Sequence, residues 1–301
     1  MLKHEFGGDW TDEKLERIRK YLSAYMMIFD RNERARQLFP TYVDAFAGTG
    51  YWTISRRTLI STEIFPEFIE SDNQAFLKGS ARIALEIQPP FKEYIFIEED
   101  QTRFQELNGL KLEFPHLANR MRIVNADANT YLLDWCRVND WRKRRAVVFL
   151  DPYGMQVEWH LIEAIANTQA IDLWLLFPLG IAVSRLLTNN APPPEEWAQA
   201  LTRIFGTQDW QSSFYPRRTT LTLWGKQEEQ AKEADFEQIG QYFVQRLKTV
   251  FPGVAENPLP LFNSKNNPLY LLCFASGSPH GSETAVKIAQ DILGGQRGHP
   301  K

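Results

Sequence analysis

Cysteine is nearly absent: Cys136 and Cys273 are the only two in 301 residues. Two thiols so far apart make neither a disulfide framework nor a thiolate metal site, so no metal is expected. Both are read as small apolar core residues. Long hydrophobic runs are missing as well. No stretch reaches the ~18 apolar residues of a membrane span, and Met1 is followed by Lys3, His4 and Glu5 rather than an apolar segment. The expectation is a cytoplasmic protein without membrane contact. An excess of either charge is also lacking, since 34 Lys and Arg stand against 37 Asp and Glu, a net charge of −3. That balance lacks the broad basic footprint of a protein that coats nucleic acid, and it confines any such binding to a cleft.

What is present is ordinary globular material. With 44% hydrophobic and 24% charged residues, and 17 each of Gly and Pro, disordered, collagen-like and coiled-coil chains are excluded. The length exceeds a usual domain of ~100–200 residues and suggests one main domain with an insertion. Leu15, Ile18, Leu22, Tyr25, Met26 and Phe29 recur at helical steps. They predict one amphipathic helix over 12–37, capped by Thr11 or Asp9, with Pro40 closing the segment before a strand that begins at Thr41. Further strand-like runs lie at 94–97, 121–124, 146–150 and 171–177, mostly continuously apolar and separated by helical stretches. This rhythm predicts the α/β class with a doubly wound, mainly parallel sheet and an N-terminal helix.

After Arg185 the pattern changes. Residues 187–266 read as an inserted, mainly helical segment before the last strands, with a solvated helix over Gln227–Gln241. The core is then 1–186 plus 267–301, closing with a strand from Leu269 and a helix from Ser282 to Leu293.

In an open α/β sheet, ligands bind beyond the carboxyl ends of the strands. After the first strand, Asp44-Ala45-Phe46-Ala47-Gly48-Thr49-Gly50 has glycines that permit a sharp turn and close approach to a ligand. A dinucleotide fingerprint would need glycine where Thr53 stands, and the Walker lysine is absent. The second strand ends in Glu98-Glu99-Asp100, where an acid can accept hydrogen bonds from ribose hydroxyls or simply start a helix. Glu98 lies much farther past Gly50 than the ~20 residues usual for that role, so an insertion fills the space between. Asp127, followed by Ala128, can meet an adenine amine or cap a helix. The fourth strand runs into Asp151-Pro152-Tyr153-Gly154. There a carboxylate and the Pro152 carbonyl can accept hydrogen bonds from an amine while the Tyr153 ring stacks on a planar base, or the four residues form a plain turn.

Together these strand ends suit an adenosine-bearing ligand and describe a class I S-adenosylmethionine (SAM) methyltransferase. Asp44-x-Phe46-x-Gly48-x-Gly50 resembles the first motif of amino-methyltransferases, and Asp151-Pro152-Tyr153-Gly154 is similar to their fourth. The common fourth motif is Asp/Asn-Pro-Pro-Tyr, so the ring here comes one residue early, as in tRNA guanine N2-dimethyltransferases. A wider resemblance covers about residues 10–190 and returns near Leu269. It rests on Lys14 and Tyr21, Val43 to Gly50, Gly79-Ser80-Ala81, Phe96-Ile97-Glu98, Asp127-Ala128-Asn129, Phe149 to Gly154 and Leu173 to Pro178. These are similar to the three-Cys-motif partner (TcmP) family, methyltransferase-like proteins with no settled substrate, named for a neighbouring gene whose product carries three cysteines.

The resemblance implies SAM as cofactor, held by Asp44, Phe46, Ala47, Gly48, Thr49, Gly50, Glu98, Asp127 and Ala128, with Asp151, Pro152, Tyr153 and Gly154 as the catalytic turn. The leading expectation is methylation of an exocyclic amine on an RNA or DNA base. The alternatives are a small-molecule or protein amine, or a non-catalytic SAM-binding partner of a three-cysteine protein. Arg56-Arg57 and Arg217-Arg218 are better placed for phosphates than Arg142-Lys143-Arg144-Arg145, which precedes the fourth strand at the far edge. Trp197, Trp210, Phe214, Tyr215 and Trp224 serve as stacking or core residues, and His160 as a proton acceptor or a helix-surface residue.

Overall fold

The protein was analysed as a computed structural model, in which residues 9–48, 79–222 and 225–295 are described. It opens with helix α1 (Asp9–Arg31), the single turn α2 (Glu33–Arg36) and strand β1 (Phe39–Asp44). There follow α3 (Ser80–Leu85), β2 (Glu93–Ile97), α4 (Gln101–Leu107), α5 (Leu110–Glu113), β3 (Met121–Val124) and α6 (Ala128–Val138). Next come β4 (Arg144–Leu150), α7 (Trp159–Asn167), β5 (Ile171–Phe177), a π-helical turn (Leu179–Val183) and α8 (Ser184–Leu186). The rest comprises α9 (Glu195–Phe205), α10 (Trp210–Phe214), β6 (Arg217–Thr222), β7 (Gly225–Gln230) and α11 (Phe236–Lys248). The chain then adds β8 (Gly253–Val254), β9 (Leu259–Phe262), β10 (Pro268–Ser276) and α12 (Ser282–Gly294).

The main sheet has the order β3-β2-β1-β4-β5-β10-β8, with β9 also on β10. Strands β1 to β5 pair in parallel, and β10 joins β5 antiparallel. This is the expected doubly wound, mainly parallel α/β sheet. The chain reverses its direction of winding between β1 and β4, and in open sheets of this kind the crevice for a ligand lies at such a switch point, beyond the carboxyl ends of the strands.

Alternation along each strand divides the core into two layers. Val43, Ile95, Val148, Leu173 and Leu175 face α6, α7, α9 and α11, where Trp159, Phe177, Phe205 and Phe243 fill the interior. Tyr42, Phe96, Val147, Phe149, Trp174 and Phe274 face α1, α3 and α12. The buried parts of α9 and α11 therefore belong to the same core as the sheet, while β6 and β7 form a separate two-stranded ribbon.

Several expectations need correction. The first helix is interrupted at Asn32, whose side chain accepts the N–H groups of Arg34 and Ala35 and starts a new turn. Thr11 is a buried residue inside α1 rather than its cap. Pro40 does not precede the strand but is its second residue; near a strand start the missing donor affects at most one ladder bond, and the Pro40 carbonyl still accepts Lys92 N–H at 3.0 Å. Arg144 and Arg145 open β4 instead of preceding it. Gln227 to Gln230 form strand β7, with Glu229 opposite Arg218 in register. The helix starts only at Phe236, after a capping box between Asp235 and Gln238.

Candidate functional site

Strand period 2 aims Tyr42 and Asp44 on β1, and Val147 and Phe149 on β4, at the α1 side of the sheet. The next residue of β4 with that parity is Asp151, just past the strand end. From α1, Lys14 Nζ donates to Asp151 Oδ2 at 2.5 Å; the Lys14 side chain is 3% exposed and that of Asp151 is 21% exposed. Lys14 also lies 5.2 Å from the ring centroid of Trp10.

Asp44 is wholly buried. Its Oδ1 accepts the Phe46 N–H at 3.4 Å, while Oδ2 has no hydrogen-bond partner. Burial pushes its pKa up to about 7; the Asp151 charge adds to the rise, and the Ser80 side chain, the Phe46 N–H and Lys14 oppose it. Tyr42 lies in the same cluster, its hydroxyl pushed well up by burial first and then by Asp44 and Asp151.

On β2, Glu98 is buried and accepts the Asp100 N–H at 2.9 Å. Burial raises its pKa, against the Asp100 N–H, the Arg103 charge and the Gly48 N–H. Gly48, at the tip of the turn after β1, has φ +61°, a left-handed conformation that favours glycine. The nearest atom to a side chain built there is the Tyr153 hydroxyl at 4.0 Å, so Tyr153 reaches from the β4 end over the β1 turn. Arg103 of α4 holds that ring. Its Nη1 donates to the Tyr153 hydroxyl at 3.2 Å, and its guanidinium lies 5.3 Å from the ring centroid. Arg103 is 9% exposed and its Nε has no partner, whereas Tyr153 is 44% exposed.

The turn itself is braced. Tyr153 N–H donates to Gln156 Oε1 at 2.9 Å, and Asn129 donates to the Gln156 carbonyl at 2.8 Å while accepting Glu158 N–H at 3.1 Å. Pro152 and Gly154 are buried. Asp127 caps α6, accepting the N–H and hydroxyl of Thr130 at 2.8 Å each, and Ala128 is buried behind it.

Asp44, Phe46, Ala47, Gly48, Glu98 and the turn 151–154 thus occupy the carboxyl ends of β1, β2 and β4, with Asp127 and Ala128 after β3. Thr49, Gly50, Arg56, Arg57 and Trp224 lie outside the described residues. Sequence reasoning gave no separate role to Lys14, Ser80 or Arg103. A usable signal was there for two of them: Lys14 falls in line with Ile18, Tyr21 and Tyr25, and Arg103 with Leu107, each a cation on a buried stripe that demands a partner.

Other candidates lie away from the crevice. Arg142 pairs with Asp140 at 2.6 Å and Arg144 with Glu93, both at the amino-terminal edge of the sheet. Trp210, Phe214 and Tyr215 are core residues, and Trp197 is half-buried. His160 lies on the outer face of α7 beside Glu158, and Arg217 is exposed on the ribbon. Both cysteines are buried and free, with burial pushing the Cys136 thiol up to about 12. Among the described residues, no group of His, Cys, Asp and Glu could hold a metal ion, and no helix is long and apolar enough to cross a membrane.

No protein-family model matches the chain, and no curated protein sequence matches it. Solved structures of similar shape include a Legionella pneumophila protein of the family model DUF519, 13% identical, covering 96% of this chain and 92% of its own, with a TM-score of 0.45. A Clostridium acetobutylicum S-adenosylmethionine-dependent methyltransferase is 11% identical over 86% of this chain and 92% of its own, with a TM-score of 0.34. Thermotoga maritima spermidine synthase is 10% identical over 90% of this chain and 58% of its own, with a TM-score of 0.37. Scores this low add nothing to the Rossmann-like, class I methyltransferase type of fold that the strand order already displays.

Proposed function

We propose that the protein is a SAM-dependent N-methyltransferase acting on an exocyclic amine of a nucleic-acid base. The observation that carries this reading is the placement of Asp151 near Asp44 of the β1 end, one oxygen held by Lys14, with the half-exposed Tyr153 ring reaching over the Gly48 turn.

The residues suit SAM. Asp44 Oδ2 is a buried acceptor without a partner, fit for an ammonium group, and Glu98 stands at the β2 end where a ribose acid belongs. Gly48 leaves room for a ligand against the backbone, and Asp127 and Ala128 complete the adenine side in this proposal. When bound, SAM supplies a methyl group activated by its sulfonium, released to a nitrogen lone pair as the C–S bond breaks with its electrons going to sulfur. The chain's own task is to aim that lone pair and exclude water, and positioning of this kind is worth ~7–11 kcal/mol of a barrier. Asp151 and the Pro152 carbonyl would accept the amine N–H groups, and the proton that the methylated nitrogen sheds would pass to the Asp151 carboxylate and from there to water. Tyr153 stacks on the base, worth ~1–3 kcal/mol.

Calorimetry with SAM and labelled-methyl transfer onto RNA, DNA and lysate fractions test the reading. We expect SAM binding and label that nuclease removes; absence of SAM binding sinks it. The balanced charge favours a second reading, a small-molecule or protein amine as acceptor, and nuclease-resistant label would select it. The resemblance to the TcmP family supports a third, a SAM-binding partner of a three-cysteine protein without turnover. An Asp151→Ala chain that folds and keeps the full cellular phenotype would favour that one. Within 187–266, the β6–β7 ribbon pairs with no strand of the main sheet, and we assign substrate or partner recognition to it.

A further inference from the structure

We infer that Lys14 is a positioning residue for Asp151, its ammonium taking Oδ2 so that Oδ1 alone is presented to an incoming amine. The inference rests on the methyltransferase reading for its purpose, but its geometry stands apart from it. The Lys14 ammonium is almost fully buried and reaches across from α1 to a residue 137 positions away.

Holding α1 in place does not require this pair. The helix is already fixed by Tyr21, which donates to Asp172 at 2.7 Å, and by Arg17, which donates to the carbonyls of Ile292 at 2.6 Å and Gly295 at 3.0 Å. Trp10, Ile18, Leu22 and Tyr25 add a continuous apolar stripe. A methionine at position 14 would dock the helix without desolvating a charge, since buried ion pairs are often no more stable than apolar substitutes. A buried lysine at this spot therefore points to a task at its partner.

That task follows from the neighbours of Asp151. Asp44 and Tyr42 approach it from β1, Tyr153 flanks it in its own turn, and Lys14 comes from α1. The Lys14 ammonium occupies Oδ2, fixes the Asp151 rotamer through that one oxygen and leaves Oδ1 as the acceptor where the reaction needs one.

The test compares crystal structures and activity of the full chain in wild type, Lys14→Met and Lys14→Arg. We expect the Asp151 side chain to leave its rotamer in Lys14→Met and to keep it in Lys14→Arg. In labelled-methyl transfer to total RNA, kcat should fall about 10²-fold in Lys14→Met and recover in part in Lys14→Arg, while the SAM Kd stays near wild type. An unchanged Asp151 rotamer in Lys14→Met overturns the inference, as does a displaced rotamer with unchanged kcat. If Lys14→Met does not fold by circular dichroism, Lys14→Gln carries the same comparison. If wild type moves no methyl group, the methyltransferase reading fails separately, and the Asp151 rotamer alone decides whether Lys14 positions that carboxylate.

Discussion

Toward the amino-terminal end of β5, Asp172 accepts the Tyr21 hydroxyl at 2.7 Å and the Ser276 hydroxyl at 2.5 Å, and it is buried with both oxygens used. At the carboxyl edge, Lys14 meets Asp151 at 2.5 Å, but Asp44 beside them keeps one oxygen without a partner and Asp151 remains partly open. One helix makes both contacts. Lys14 and Tyr21 are two helical turns apart, about 10 Å at 1.5 Å per residue. Asp172 is level with Val147 of β4, so Asp151 lies four strand residues beyond it, about 13 Å away. Helix α1 therefore runs antiparallel to the parallel strands and joins a satisfied carboxylate at one end to unsatisfied ones at the other. Closed hydrogen-bond networks mark where the fold is fixed, and open ones where a ligand is awaited.

The comparison is broken most severely at its satisfied end. Asp172→Ala leaves two buried hydroxyls without an acceptor, each worth ~1–3 kcal/mol, and opens a small void. A loss of ~5 kcal/mol in denaturant unfolding is expected, with little change in SAM affinity per folded molecule. A drop in SAM affinity without loss of stability would place Asp172 in the binding site instead.

At the open end the expected effect depends on pH. The Asp44 carboxyl, raised to about 7 by burial, keeps its proton in the folded chain while the unfolded chain has already released it above the ordinary 3.8. The Asp44 contribution to stability is therefore highest below about pH 4, falls as pH rises towards 7 and levels off above. Across that window the decline from Asp44 is about 4 kcal/mol, and Asp172, raised to about 6 by burial, adds a smaller decline of the same sign. Asp44→Asn should remove the larger part of the slope, read from unfolding midpoints between pH 4 and 8. A cation seated on Oδ2 needs the ionised form, so SAM affinity should rise up to about tenfold per unit of pH below 7 and then plateau.

The sheet was legible because its strands read as short, mostly apolar runs: 121–124 and 171–177 coincide with β3 and β5, although Arg122 and Asp172 interrupt them. The strand ends bearing Asp44, Glu98, Asp127 and Asp151 followed from the same runs. Other features lie beyond local pattern. The antiparallel direction of β10 leaves no trace in its apolar sequence, and polar Gln227 to Gln230 form a strand only because β6 pairs with them. Lys14 stood out only within a family resemblance and Arg103 not at all, although each lies on a buried helical stripe; which partner each meets, Asp151 or Tyr153, is set by the tertiary fold. The satisfied end of α1 was equally hidden, since a Tyr, an Asp and a Ser at 21, 172 and 276 share no motif.

The smallest effects belong to the Arg103–Tyr153 contact, which sharpens the contrast between fixing the fold and serving a ligand. Tyr153→Phe keeps the ring and its place over the Arg103 guanidinium but removes the hydroxyl that accepts from Nη1. At a half-exposed position that bond is worth ~1 kcal/mol or less. Tyr153→Ala removes the ring as well, so it should cost about as little stability but weaken a stacked base by ~1–3 kcal/mol. Arg103→Met frees the ring while keeping apolar bulk, and it removes a buried Nε that has no partner of its own. The expected order for acceptor KM is wild type and Tyr153→Phe together, then Arg103→Met, then Tyr153→Ala, with unfolding free energies spread over about 1 kcal/mol. If Tyr153→Ala unfolds the protein but leaves the acceptor KM unchanged, the ring belongs with Asp172 as a fold-fixing element, and the open edge narrows to Asp44, Glu98 and Asp151.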